Sequence, residues 1–399
     1  KRFLESLRFQ RKFFARRSHF FIARAASTPL DSEVLQIMLP YFSETFGNAN
    51  SQHYFGRKAM AALDTARGTI ARLIGAKDGE VFFTSGGTEA DNLAVFGAAR
   101  AQKKRGRNKI FISSAEHHAV IEPAEKLAAE EDFETCLIPI DRHGKIDLEY
   151  LRNNVDEHTA LVAVMYASNE LGTIEPVKEA AEIAHAHGAI FFSDAVQAAP
   201  YVRLNVQEIG ADLLSFSAHK FYGPKGTGVL YVKSGTPMHK LLVGGEQERG
   251  FRAGTVNVAG AVGAAAAYEK TVAGMEEANA KIRRLKNLFA EEISRYPFAH
   301  INGGLGDACV PPVLNLRIDG TENTTMLSLM DLRGVAASAG SACVGGDIQP
   351  SHVLLSAGFS PEETRASFRL SFGKHNTEEE MVRAATIIGT LAEKLRANQ

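Results

Sequence analysis

The sequence predicts an α/β protein, with a large domain built on a mainly parallel, helix-flanked sheet and a smaller α+β domain at the C-terminal end. Three observations carry this. From about residue 80, short and almost continuously apolar runs alternate with helical stretches, as expected of strands buried on both faces. The order strand, helix, strand repeats, which winds a sheet in parallel. The 399 residues also exceed the ~250–300 at which a single core stops growing.

The elements follow in order. "EVFFT", "NKIFISS", "ETCLIPI", "ALVAVMYAS", "AIFFSDAV", "LLSFSA" and "GVLYV" read as strands. "TEADNLAVFGAARAQKK" and "VKEAAEIAHAHG" read as helices between them, the second closing on a glycine. The stretch from "AGAVGAAAAYEK" to "AEEISRY" reads as one long helix leading into the second domain. There "PPVLNLRI" and "ASFRLSF" are strands, and "EEEMVRAATIIGTLAEKLR" is an amphipathic terminal helix. The expected division is a basic segment 1–24, a large domain 25–271 and a small domain 272–399.

Composition narrows the function classes. A net charge of −1 gives no general attraction to nucleic acid or membranes, and no apolar run is long enough to span a bilayer. Three scattered cysteines, Cys136, Cys309 and Cys343, form no CxxC pair and no disulfide framework, which fits a reducing cytoplasm. The first 24 residues differ, with eight Lys/Arg and only Glu5 as an acid. That character resembles an organellar targeting peptide or a membrane-surface helix; the plainer reading is an N-terminal helix packed on the body or a poorly ordered tail.

Ligands of open α/β sheets sit at the carboxyl ends of strands. After "EVFFT" comes "SGGTEADN", where Gly86, Gly87 and Thr88 open a helix and offer N–H groups to a phosphate. After "AIFFS" comes Asp194, which would serve as an ordinary helix cap if it stood alone. After "LLSFS" come His219 and Lys220, a lysine leaving a buried strand for a glycine-rich turn. Desolvation lowers the pKa of such a lysine and makes it a nucleophile towards carbonyls. "EHHAV" adds His117 at another strand end. A phosphate cradle, an acid and a lysine in this order are what pyridoxal 5'-phosphate requires: lysine for its aldehyde, acid for its ring nitrogen, helix N-terminus for its phosphate.

Cys343 lies in "SAGSACVGGD", among residues that pack little and bend easily. The setting suits an accessible thiol, and a glycine-rich turn that happens to hold a cysteine would look the same. Cys136, in "TCLIPI", and Cys309, in "GDACVPPV", read as structural.

With "FTSGGTEADNLAV", "EHHAV", "SNELGTIEP", "SDAVQ", "SFSAHKFYGPKGTG", "GGEQERGFRAGT", "SAGSACVGGDIQPSHVL" and "FRLSFGKHNTEEE" in this order, the chain resembles the cysteine desulfurases of the NifS/IscS type. These belong to the class V aminotransferase group of fold-type I pyridoxal phosphate enzymes. The resemblance implies that Lys220 holds the cofactor covalently, Asp194 pairs with its ring nitrogen and Gln197 reaches its ring hydroxyl. It implies that His117 stacks on the ring and moves protons, and that Gly87, Thr88, Ser217 and His219 bind the phosphate. Thr255 would complete that phosphate site from the other subunit of a homodimer. Arg369 would clamp the substrate carboxylate, a pairing suited to amino acids, with Asn169 near substrate and ring. Cys343 would take sulfur from L-cysteine as a persulfide and pass it to an acceptor protein for iron–sulfur cluster assembly or tRNA thiolation, leaving L-alanine.

Two other functions remain open on the sequence: a selenocysteine lyase on the same scaffold, and a non-catalytic sulfur-transfer partner. The sequence also departs from the family pattern. Ala23 and Arg24 stand where relatives have Asp and Asn, which places substrate handling there in question. Ala49 stands where proline is common.

Overall fold

The computed structural model describes residues 20–340 and 350–397. Among the described residues, twelve strands form three sheets: β1 Phe20–Phe21, β2 Val81–Thr84, β3 Lys109–Ser113, β4 Glu134–Ile138, β5 Thr159–Ala163, β6 Ile190–Asp194, β7 Leu213–Ser217, β8 Gly228–Val232, β9 Ala299–Asn302, β10 Val313–Ile318, β11 Val335–Ala336 and β12 Ser367–Ser371. The seven apolar runs from "EVFFT" to "GVLYV" all become strands of the largest sheet, ordered β2-β8-β7-β6-β5-β3-β4.

Five of its strands, from β7 to β4, pair in parallel. β8 runs against both neighbours, so the sheet is mixed at that edge. Successive side chains of a strand point to opposite faces, and both faces are covered. Phe191, Leu214, Phe216 and Tyr231 pack beneath helices Tyr54–Ile74 and Val258–Ala273. Phe192, Leu213 and Leu230 pack beneath helices Gly87–Lys103 and His118–Glu130.

A separate core surrounds the antiparallel sheet β12-β10-β9, with helices Met275–Ile293 and Glu378–Ala397 against it. The single long helix read from the sequence is two, Val258–Ala273 and Met275–Ile293. Gly274, at φ −99° and ψ 10°, leaves helical geometry between them. β1 pairs in parallel with β11, and Phe20 and Ile22 are buried in this second core. The end of the basic segment is therefore part of the packed body. Residues 1–19 lie outside the described residues.

Candidate active site

A cavity of about 350 Å³ opens where the parallel strands end. Of the residues singled out in the sequence, Gly87, Thr88, His117, Asn169, Asp194, Gln197, Ser217, His219, Lys220 and Arg369 all line it. Thr255 does not; it is exposed on the loop before helix Val258–Ala273. Cys343 lies outside the described residues. The chain reaches the cavity on either side of it, because Ser338, Gly340 and His352 line the same space.

Local structure aims each group. β2 ends at Thr84, and helix Gly87–Lys103 starts three residues later with Gly86 fully extended. A side chain at Gly87 would come within 2.9 Å of Val196 Cγ2, so glycine keeps the N-terminal backbone open towards the cavity. Lys220 leaves β7 on a single short turn, Ala218–Lys220. Its Nζ donates to the Ala25 carbonyl at 2.5 Å and the Ala26 carbonyl at 3.1 Å. Burial and the nearby Arg369 charge lower its pKa to about 8, partly offset by Asp194.

Asp194 is buried at the end of β6, and its Oδ1 accepts the Val196 N–H at 2.7 Å. Burial raises its pKa to about 6, against that hydrogen bond and the Lys220 charge. Beside it is Asp91, which sequence reasoning missed. Asp91 accepts the Ser215 hydroxyl at 2.5 Å and is driven well above the carboxylate range by burial and by Asp194. The clue was an acid three and four residues before Ala94 and Val95, on the apolar face of its helix. Glu116, equally missed, accepts the Met165 N–H, and burial and then the Asp194 charge push its pKa well above the usual carboxylate range.

His117 caps helix His118–Glu130, its Nδ1 accepting the Ala119 N–H at 3.1 Å. That bond fixes Nδ1 as the unprotonated nitrogen, and burial with the Lys220 charge lowers the pKa to about 4. The ring is therefore a neutral imidazole in the cavity. His219 is likewise lowered to about 4, by burial and then Lys220. Gln197 Nε2 donates to the Ala25 carbonyl at 2.9 Å.

Arg369 enters from β12 and is buried. Its Nη1 donates to the Asn169 carbonyl at 2.8 Å, while its Nε has no hydrogen-bond partner. A buried guanidinium with spare donors is prepared for a planar anion. Arg24, whose departure from the family pattern raised a question, lines none of the cavity. Its guanidinium lies over the Phe21 ring at 4.9 Å, and its stem packs against Gly373. Cys309 is buried as expected, whereas Cys136 is half-exposed on the edge strand β4, packed against the main core.

Residues 20–383 match the family model of the class V aminotransferases. The chain belongs to that family. A cysteine desulfurase IscS of Dictyoglomus turgidum is 41% identical over 376 residues, covering 93% of this chain and 94% of the relative. One from Methanosarcina thermophila is 40% identical, covering 94% and 92%. Among solved structures, a NifS-like protein superposes with a TM-score of 0.88 at 33% identity, over 94% of this chain and all of its own. SspA, solved in complex with cysteine, gives 0.79 at 30% identity, over 90% and 99%. Within the family the chain stands with the cysteine desulfurases, a pyridoxal phosphate-dependent group. No helix among the described residues is long and apolar enough to cross a membrane.

Proposed function

We propose that this chain converts L-cysteine to L-alanine with pyridoxal 5'-phosphate and transfers the sulfur to Cys343. The observation that carries the reading is the joint placement of Lys220, Asp194, His117, Arg369 and the Gly87–Thr88 turn around one cavity. The residues present fit the cofactor. The cradle is free of side chains where a phosphate needs backbone, and Lys220 with its lowered pKa and the buried acid Asp194 line the same cavity.

Gly87, Thr88, Ser217 and His219 would hold the phosphate, Asp194 the ring nitrogen, and Gln197 and Asn169 the ring hydroxyl side. When bound, the cofactor supplies an electron sink for the substrate's α-carbon. Arg369 orients the substrate carboxylate. Lys220 removes and returns the proton at the α-carbon, and neutral His117 carries protons to and from the reacting groups. The Cys343 thiolate forms an S–S bond to the substrate sulfur as the substrate's carbon–sulfur bond breaks. That electron pair stays on carbon, which takes up a proton to give alanine, and the sulfur leaves with Cys343 as a persulfide. An acceptor protein for iron–sulfur assembly or tRNA thiolation would collect it.

A homodimer would bring the partner's copy of Thr255 to the phosphate. Support comes from the apolar side chains beside helix Tyr54–Ile74, where Phe42 and Phe46 are 62% and 65% exposed and Phe46 stacks on Phe55 at 5.7 Å. Exposed aromatic patches of this kind mark interfaces.

The test is alanine and protein-bound persulfide formed from L-cysteine, parental protein against Cys343→Ala at equal cofactor loading. Both products from the parent and neither from the variant support the reading. Alanine from the variant at the parental rate sinks it and leaves a lyase that needs no sulfur-carrying cysteine.

A further inference from the structure

Glu170 is buried beside the candidate substrate clamp, and nothing in the proposed chemistry uses it. It follows Asn169, whose carbonyl holds Arg369 Nη1 at 2.8 Å. Its own backbone is fixed by Ser168 Oγ, which accepts the N–H groups of Glu170 at 3.3 Å and Leu171 at 3.1 Å. The carboxylate makes no ion pair within 4 Å among the described residues. It is nevertheless the group whose charge supports the buried Arg369 guanidinium against desolvation.

The same carboxylate touches both ends of the chain segment that carries Cys343. Its Oε2 accepts the buried Ser351 hydroxyl at 2.6 Å. Gly340, at φ +95°, lies so close that a Cβ there would be 3.0 Å from Oε2. Residue 338 is tied to the clamp as well. Ser338 and Arg369 exchange backbone hydrogen bonds of 2.7 and 3.2 Å, and Arg369 Nη2 reaches Ser338 Oγ at 3.5 Å. Gly340 and Ser351, on either side of that segment, thus meet on one buried acid, and Ser338 meets the clamp beside it.

We propose that Glu170 is a positioning residue that links the Arg369 carboxylate clamp to both anchors of the Cys343-bearing segment, so that substrate binding and sulfur acceptance are registered to one point. This rests on the desulfurase reading. Two functions of the carboxylate separate by substitution. Its charge moderates Arg369, and its Oε2 holds Ser351. In Glu170→Gln the amide oxygen still accepts from Ser351 while the charge is gone. In Ser351→Ala the charge stays and the anchor is lost.

The experiment uses holoenzyme with parental cofactor content, verified by absorbance. L-Alanine affinity is read from the cofactor spectrum, and the rate at which persulfide forms on Cys343 with one equivalent of L-cysteine is read by timed alkylation and mass. In Glu170→Gln, L-alanine binds about fivefold tighter, because the clamp loses a neighbouring negative charge, and the rate of persulfide formation stays parental. In Ser351→Ala, alanine affinity stays parental and the rate of persulfide formation falls by at least about tenfold, as expected of a misplaced reacting group. Glu170→Ala shows both changes. Should Glu170→Ala not fold, the other two variants decide the question. Unchanged or weaker alanine binding in Glu170→Gln overturns the proposal, as does a parental rate of persulfide formation in Ser351→Ala. A parental enzyme that makes no persulfide on Cys343 overturns the desulfurase reading and this link together.

Discussion

Two lysines in this molecule have been driven to the same pKa by different surroundings. Lys220, in the main cavity, and Lys286, in helix Met275–Ile293, are both lowered from 10.5 to about 8, and in both burial is the leading cause. Lys286 is 1% exposed, and its Nζ is occupied by the Val310 and Val313 carbonyls at 3.3 and 3.4 Å. Lys220 also donates to two carbonyls, but beside it lie open space, an acid and an arginine. A depressed lysine pKa therefore does not identify a site. What distinguishes Lys220 is the cavity and the groups that converge on it.

The comparison is broken most directly by removing each amine. Lys220→Ala abolishes alanine formation by about a thousandfold or more, as loss of a nucleophile and proton carrier should. Its unfolding midpoint stays near the parental value, and its absorbance shows no covalent cofactor. Lys286→Met leaves turnover within about twofold, because the side chain is buried elsewhere and lines none of the cavity. Equal activity losses in the two variants would erase the distinction drawn here.

A second test concerns the rate at which cofactor-free enzyme reacts with added pyridoxal phosphate. Only the neutral amine attacks, so the rate rises about tenfold per pH unit and levels off near the Lys220 pKa. A plateau from about pH 8 is expected. A rate still climbing beyond pH 10 would mean that Lys220 behaves as an ordinary exposed lysine.

For Lys286 the readout is stability. Its folded pKa lies below its unfolded value, so the unfolded chain binds more protons between them, and stability rises as pH goes from about 8 towards 10.5. Below pH 8 the full penalty applies. Denaturant midpoints measured across that window should rise more steeply for the parent than for Lys286→Met, and parallel curves would refute it. The smallest effect belongs to Arg24→Asn, which restores the residue usual in relatives. With Arg24 lying over Phe21, away from the cavity, the KM for L-cysteine should move by no more than about twofold.

These contrasts show what was legible in the sequence. All seven strands of the large sheet could be read, because most are buried on both faces and appear as nearly continuous apolar runs, β4 at the partly exposed edge being the exception. Lys220, Asp194 and His117 were found because each stands directly after such a run. Direction was not legible: nothing in "GVLYV" says that β8 runs backwards. Nor was the break at Gly274, since a single glycine is compatible with a continuing helix. Asp91, Glu116 and Glu170 escaped because a lone acid within a motif reads as surface charge until the fold buries it. The pairing of Phe20–Phe21 with Val335–Ala336 depends on contacts more than 300 residues apart, which local pattern cannot reveal.

The reversed strand sets a length. β8 begins at Gly228, which sits opposite Thr84 of β2 on one side and Ser217 of β7 on the other. The turn carrying the phosphate cradle and the turn carrying Lys220 thus leave the sheet at the same level, two strand spacings apart, roughly 9.5 Å. That interval is fixed by backbone hydrogen bonding and not by any loop, so it acts as a gauge for whatever molecule must touch both turns. The gauge has no spare room. A methyl group at 228 would come within 2.4 Å of the Gly86 backbone, so even alanine there would have to push the cradle out of step with the lysine.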